Sequence, residues 1–519
     1  MDVAQSMARD GQTREQPAAG GVVFVVYAPF GDDAALSNYP DGASRSLAQH
    51  PLVVNLARVA GHGAHVVALI DRAGEDTYLV DIPACDGNAI QITSRWKQDM
   101  SSYRALRGLI QYAQRKHPGA RIVLALEGHG AGYLPELDLA ALTSQAVTGD
   151  GKYRWMVDNG GWQPEPAPAS GGQPALPIKS PVLPIKSPVL PSKLGVLSTW
   201  AVGQALKEAC CGGAPKVSVV HFNNCFNFSL ELLHTIAPHA EYAVGYPSYN
   251  FFTAGDAYPR VFEGLNQAGL TSADLARRFA EANHAVLSQI EGHPTVGGVM
   301  PLQQVAEIVD RVDDLAAALI QALPAQLERV SRAVRRALQY DTTSSGGGAG
   351  DFRLEVPDDL TDVRDFAGAL MAAFGVGTAV HDRAAAVFQS LGGVKVYGDA
   401  GRPWPNPAEV WDFAGNIAMS LFLPNPRRKD LWDWRTPWYL NITEDAVQPH
   451  IIDFLKSTAW VDFILKYHEK TPFKGFRAPA LPRFPMFNPR APEIIKDYLD
   501  RQRYGQDQSA QTGGPQQAA

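Results

Sequence analysis

Short apolar runs alternate along this chain with longer stretches of helical spacing. Val22-Val-Phe-Val-Val-Tyr27 is β-branched and predicts a first buried strand. Turn-forming residues follow (Pro29, Gly31, Asp32, Asp33), and helical spacing returns around 45–60. Val66-Val-Ala-Leu-Ile70 predicts a second strand, with Thr77-Tyr-Leu-Val-Asp-Ile82 pairing nearby. Residues 100–116 have helical spacing and end on Arg115-Lys116, cations suited to a helix C-terminus. The run Arg121-Ile-Val-Leu-Ala-Leu-Glu127 then stops at Gly128-His129-Gly130. After a gap, a helix is expected near 198–210. Lys216-Val-Ser-Val-Val-His-Phe-Asn-Asn-Cys225 is another apolar run, which stops at a cysteine. A helix at 228–237 and a strand at Glu241–Tyr246 continue the alternation. Strands alternating with helices imply an α/β fold with a mostly parallel, helix-covered sheet.

The pattern fails between 144 and 196. A heptad repeats there almost three times, as Leu176-Pro-Ile-Lys-Ser-Pro-Val, Leu183-Pro-Ile-Lys-Ser-Pro-Val and Leu190-Pro-Ser-Lys-Leu-Gly-Val. Prolines this dense remove the N–H donors of helix and sheet, so an exposed, extended insertion is expected. Further on, residues 260–340 read as mainly helical, 344–350 as a flexible break and 359–390 as helical. Residues 414–425 give a strand-like run and 449–468 a closing helix. The expected organisation is a leader over 1–20, a sheet domain over 21–260 and a mainly helical accessory α/β region over 261–480. A tail covers 481–519 and is expected to be disordered from about 505.

Composition narrows the function classes. Of the 519 residues, 45% are hydrophobic and 19% charged, as in a folded globular protein. The net charge of −7, without a basic block, argues against a nucleic-acid partner. Four cysteines (Cys85, Cys210, Cys211, Cys225) are too few for a disulfide framework, and no CxxC is present. The first twenty residues lack an apolar core and no stretch is long enough to span a bilayer, so a cytoplasmic location is expected.

The chemistry points to the two strand ends. If the runs ending at His129 and Cys225 are neighbouring parallel strands, both residues emerge at one sheet edge, where open α/β sheets place their sites. A Cys beside a His is the minimal equipment of a thiol nucleophile, because imidazole can generate or stabilise the thiolate. Phe226-Asn-Phe-Ser-Leu-Glu reads as a helix entry, whose dipole would favour that thiolate. The Gly130 N–H is a candidate donor to an oxyanion. No Gly-x-Ser-x-Gly elbow or His-Glu-x-x-His motif competes.

Both motifs together resemble the clostripain family of cysteine peptidases, within the caspase–haemoglobinase-like group. That group has a hydrophobic run ending in His-Gly and a later one ending at the nucleophilic Cys. The likeness continues through Val26-Tyr-Ala-Pro-Phe-Gly-Asp32-Asp33 and the helix entry Leu197-Ser-Thr-Trp-Ala-Val-Gly. It extends to Asp359-Leu-Thr-Asp362-Val-Arg-Asp365-Phe-Ala367, Ala418-Met-Ser-Leu-Phe-Leu-Pro424 and Thr458-Ala-Trp460-Val-Asp-Phe463. It implies a caspase-like sheet and an endopeptidase acting on protein or peptide substrates. Cys225 would be the nucleophile and His129 the acid–base partner, with the backbone N–H groups of Gly130 and Cys225 as the oxyanion donors. The resemblance also implies cleavage after Arg or Lys. The family's acid two residues before the Cys is here Asn223, and Asp256 is a candidate to supply the missing charge. Family members are commonly self-cleaved between His and Cys, which makes Arg154, Lys179, Lys186 and Lys193 candidates. Calcium dependence occurs in the family, but Asp32 and Asp33 are too few to specify a site and no cofactor is assigned. The alternative is a catalytically inactive, caspase-like binding or regulatory protein.

Overall fold

The computed structural model describes residues 21–31, 34–72, 77–96, 98–130, 132–136, 197–265, 270–340, 360–404, 407, 410–424, 439–440, 448 and 450–470. The expected leader, the Pro-rich insertion, the tail beyond 480 and the flexible break at 344–350 lie outside them. So do Asp32, Asp33, Arg154, Lys179, Lys186 and Lys193.

Among the described residues, one sheet of nine strands organises the molecule. In chain order its strands are β1 (Val22–Pro29), β2 (His65–Asp71), β3 (Thr77–Ile82), β4 (Gln91–Trp96), β5 (Arg121–Glu127), β6 (Val217–Asn223), β7 (Ala240–Gly245) and β8 (Val296–Pro301). After β9 (Leu360–Asp362), which belongs to a separate small sheet, β10 (Lys395–Gly398) completes it. The spatial order is β10-β8-β7-β6-β5-β1-β2-β3-β4. The central run β2-β1-β5-β6-β7 is parallel, and antiparallel strands flank it at both edges.

The near-continuous apolar character of the central strands follows from cover on both faces. Side chains alternate between the faces. Val23, Val25 and Tyr27 of β1 enter one core, while Val22, Phe24 and Val26 enter the other. The first core packs against α2 (Tyr103–Lys116) and α3 (Thr199–Ala209), and the second against α1 (Pro51–Gly61) and α5 (Ser272–His284). α4 (Leu230–Ile236) follows β6. Each of α2, α3, α4 and α5 starts where a Ser or Thr hydroxyl accepts a first-turn N–H, so sequence-local caps set these boundaries.

Beyond residue 260 the expected helices are present: α6 (Val305–Arg336), α7 (Val363–Ala373), α8 (Ala379–Ser390) and α9 (Trp460–Lys470). The sheet, however, does not end at the expected boundary. β8 and β10 extend it past β7, so this part of the chain shares the central sheet. β9 pairs antiparallel with β11 (Ser420–Phe422), and the Ser420 N–H donates to the Phe228 carbonyl just after the Cys225 turn. No helix among the described residues is long and apolar enough to cross a membrane.

Candidate active site

β5 and β6 are parallel neighbours, with Leu126 opposite Phe222 and Glu127 opposite Asn223. The two sequence motifs therefore leave the sheet side by side. After β5, Gly128 takes φ 101° and the His129 side chain is exposed. Gly130 is buried directly against the other turn. A Cβ at position 130 would lie 2.2 Å from the Cys225 carbonyl oxygen and 2.9 Å from Asn224 Oδ1. Only glycine lets these main chains approach so closely.

Cys225 sits on a sharp turn. Phe226 is buried yet has φ 60°, a conformation that costs a bulky residue on the order of 1–3 kcal/mol. Its N–H is held by the Ser248 carbonyl at 3.0 Å. Ser248 Oγ in turn donates to the Tyr340 carbonyl at 2.6 Å, and Tyr340 Oη donates to buried Asp362 at 2.6 Å. Asp362 also accepts the Ala418 and Asp365 N–H groups. The segments around Asp362 and Ala418 thus brace the turn that carries the thiol.

The thiol is half-buried under a strap from the loop after β7. The Asn250 N–H donates to Sγ at 3.3 Å, and the thiol lies 3.5 Å from the Asn250 carbonyl as a donor. Burial pushes its pKa up to about 11. The helix-entry reading is corrected here. α4 begins at Leu230 behind the Ser229 cap, so no helix N-terminus meets the sulfur, and burial governs it instead.

Asn223 is buried and its Nδ2 lies 3.0 and 3.2 Å from the two Glu127 carboxyl oxygens. Its Oδ1 accepts from Asn250 Nδ2 at 3.0 Å, and Asn250 Oδ1 accepts from Asn283 Nδ2 at 2.8 Å. Tyr258 Oη donates to Glu127 as well. Burial pushes Glu127 up to about 7, against the lowering effect of the Tyr258 and Asn223 hydrogen bonds. Behind it, His221 bonds Tyr246 Oη at 2.9 Å, and burial holds that imidazole down at about 3.

A measurable pH dependence follows. Glu127 is raised in the folded chain from 4.5 to about 7. The folded state therefore holds its proton more tightly, and the term is fully present below pH 4.5. It is lost as pH rises through about 7, to a total of about 3 kcal/mol. Glu127→Gln should melt higher relative to wild type at pH 8.5 than at pH 5. A pH-independent difference between the two melting curves would refute the shift.

Asp256 is exposed and accepts from Asn55 Nδ2 of α1 at 2.7 Å. A cleft of about 40 Å³ beside His129, between the strand ends and α3, has Tyr27, Leu126, Glu127, Thr199, Phe222 and Asn224 in its wall; neither Cys225 nor Asp256 lines it. Sequence reasoning did not single out Glu127, Asn250, Tyr258 or Asn283. The one available signal was Glu127 itself, a carboxylate closing an otherwise apolar strand. Among the described residues no group of three His, Cys, Asp or Glu side chains could hold a metal ion.

No protein-family model and no curated protein matches the chain. Solved structures do. A secreted C11 cysteine protease from Bacteroides thetaiotaomicron, "iotapain", superposes on 86% of this chain and 100% of its own, with a TM-score of 0.50 at 12% identity. An inactive zymogen C11 protease from Parabacteroides distasonis aligns with 81% of this chain and 98% of its own, with a TM-score of 0.46 at 15% identity. The fold is that of the caspase-like proteins, a mostly parallel sheet covered by helices. More narrowly, it is the fold of the C11, clostripain-type cysteine proteases.

Proposed function

We propose that the protein is a cysteine endopeptidase in which Cys225 is the nucleophile and His129 the acid–base partner. The observation that carries this is the adjacency of β5 and β6, which release His-Gly and Cys at one edge with Gly130 against the Cys225 carbonyl. Sγ would attack the scissile carbonyl as its proton passes to His129. His129 would then protonate the leaving amine, and water would hydrolyse the thioester. The N–H groups of Gly130 and Cys225 are the ones we assign to the oxyanion.

The reading includes a preference for Arg or Lys before the cut. Position 223 carries an amide, but Glu127 puts a carboxyl directly behind it at 3.0 Å. Self-cleavage after Arg154, Lys179, Lys186 or Lys193, and an intracellular protein target, belong to the same proposal. The alternative, an inactive binding or regulatory protein, is favoured by one observation: a thiol covered by the Asn250 main chain, whose burial favours the neutral form. Fluorogenic peptides ending in Arg, Lys, Ala or Asp, with and without calcium, decide among these readings with Cys225→Ala as the blank. Turnover after Arg and Lys is expected. Equal turnover of all the peptides would remove the basic preference, and none above the blank would select the inactive reading. On gels, fragments present in wild type and missing from Cys225→Ala are expected; identical patterns would remove self-cleavage.

A further inference from the structure

Glu127 performs no step in the chemistry above, yet its carboxyl is buried behind the nucleophile. The donors on it are neutral, Asn223 Nδ2 and Tyr258 Oη. Both Glu127 oxygens accept from Asn223 Nδ2, and one accepts from Tyr258 Oη as well, so the Asn223 amide turns its NH₂ toward the carboxyl. The Asn223 oxygen is then left for Asn250 Nδ2, and the Asn250 oxygen for Asn283 Nδ2. The bonds to the Glu127 carboxyl thus set the direction of the whole series. Glu127 is 2% exposed, Asn223 and Asn250 4%, and Asn283 1%, so water does not compete for these bonds. Both ends of the Asn250 side chain are anchored, and its main chain brackets Cys225 Sγ with N–H and carbonyl.

We propose that Glu127 is a positioning residue for Cys225, acting through Asn223 and the Asn250 strap. It rests on Cys225 being the nucleophile, but the thiol can be read without any peptidase assay. Residues 127 and 223 form an acid–amide pair across two strands, and which strand carries the acid is interchangeable. In Asn223→Asp two carboxyls would meet at about 3 Å, and in Glu127→Gln an NH₂ would replace one of the two oxygens that now accept from Asn223 and Tyr258. The double variant, Glu127→Gln with Asn223→Asp, moves the amide to β5 and the acid to β6. It restores a donor–acceptor pair, and the carboxyl now at position 223 still accepts from Asn250 Nδ2.

The test is the rate of iodoacetamide alkylation at Cys225, resolved by peptide mass spectrometry. Exposed Cys85 and Cys211 serve as internal references. Each single variant is expected to release the strap and raise Cys225 alkylation by about fivefold, as loss of one buried hydrogen bond implies. The references should stay unchanged, and the double variant should return to within about twofold of wild type. Asn250→Ala keeps the Glu127–Asn223 pair but frees the strap, and should match the single variants. It decides the matter if Glu127→Gln does not fold. Wild-type alkylation in Asn250→Ala, or a double variant no better than its worse parent, would overturn the proposal. A fall in melting temperature alone, with Cys225 alkylation unchanged, would make the network merely structural and overturn it too.

Discussion

His129→Ala is expected to lower kcat on an Arg or Lys peptide by about 10²–10⁴-fold with little change in KM, the loss typical of a general acid–base group. Burial pushes the Cys225 thiol up to about 11, so it is held as the neutral thiol near pH 7. Such a thiol needs a base at the moment of attack, and the amine it expels needs an acid. His129 is exposed, so its removal leaves no cavity and the melting temperature should stay put. Cys225→Ala should abolish turnover, and adding His129→Ala should take nothing further, as the proposed dyad requires. Single-turnover kinetics on the set checks this. A His129→Ala enzyme with wild-type kcat would remove the imidazole from the mechanism.

Gly130→Ala is expected to cost nearly as much without deleting a functional group. Its Cβ would lie 2.2 Å from the Cys225 carbonyl oxygen, a backbone atom that cannot swing away. The turns would have to separate by about 1 Å, and a misplacement of that size costs about 10²-fold in rate. Overpacking adds a stability loss of about 1–3 kcal/mol. Gly61→Ala is the control, since a Cβ there meets nothing within 4 Å. Steady-state kinetics and thermal melts of both variants suffice. Unchanged kcat/KM in Gly130→Ala would mean that the two turns do not meet as described.

The centre of the sheet was legible because its strands are buried on both faces and read as unbroken apolar runs. The edges were not. β4 is polar along Gln91–Trp96, and β8 opens Val296-Gly-Gly within the stretch read as mainly helical. Gly298 pairs with Gly245 and Val396, and position 298 needs glycine because a Cβ there would meet the Phe228 ring at 2.2 Å, a contact made only in the folded chain. The same divide runs through the site. His129, Gly130 and Cys225 close apolar runs and stand out locally. The residues behind them meet only by folding: Tyr258 reaches Glu127 across 131 positions, and Asn283 reaches Asn250 across 33. The helix-entry reading failed because α4 begins only after the Phe226 turn, too far along to touch the sulfur.

The order of strands has one more consequence. A backbone cut between residues 136 and 197 would leave β1 to β5 on one piece and β6, β7, β8 and β10 on the other. In space these are the two halves of the sheet, meeting at the single seam between β5 and β6. His129 and Cys225 would belong to separate polypeptides, each completing the other across that seam. The nicked molecule would be an obligate heterodimer, parted only by opening its own core, and would run through a sizing column as one species.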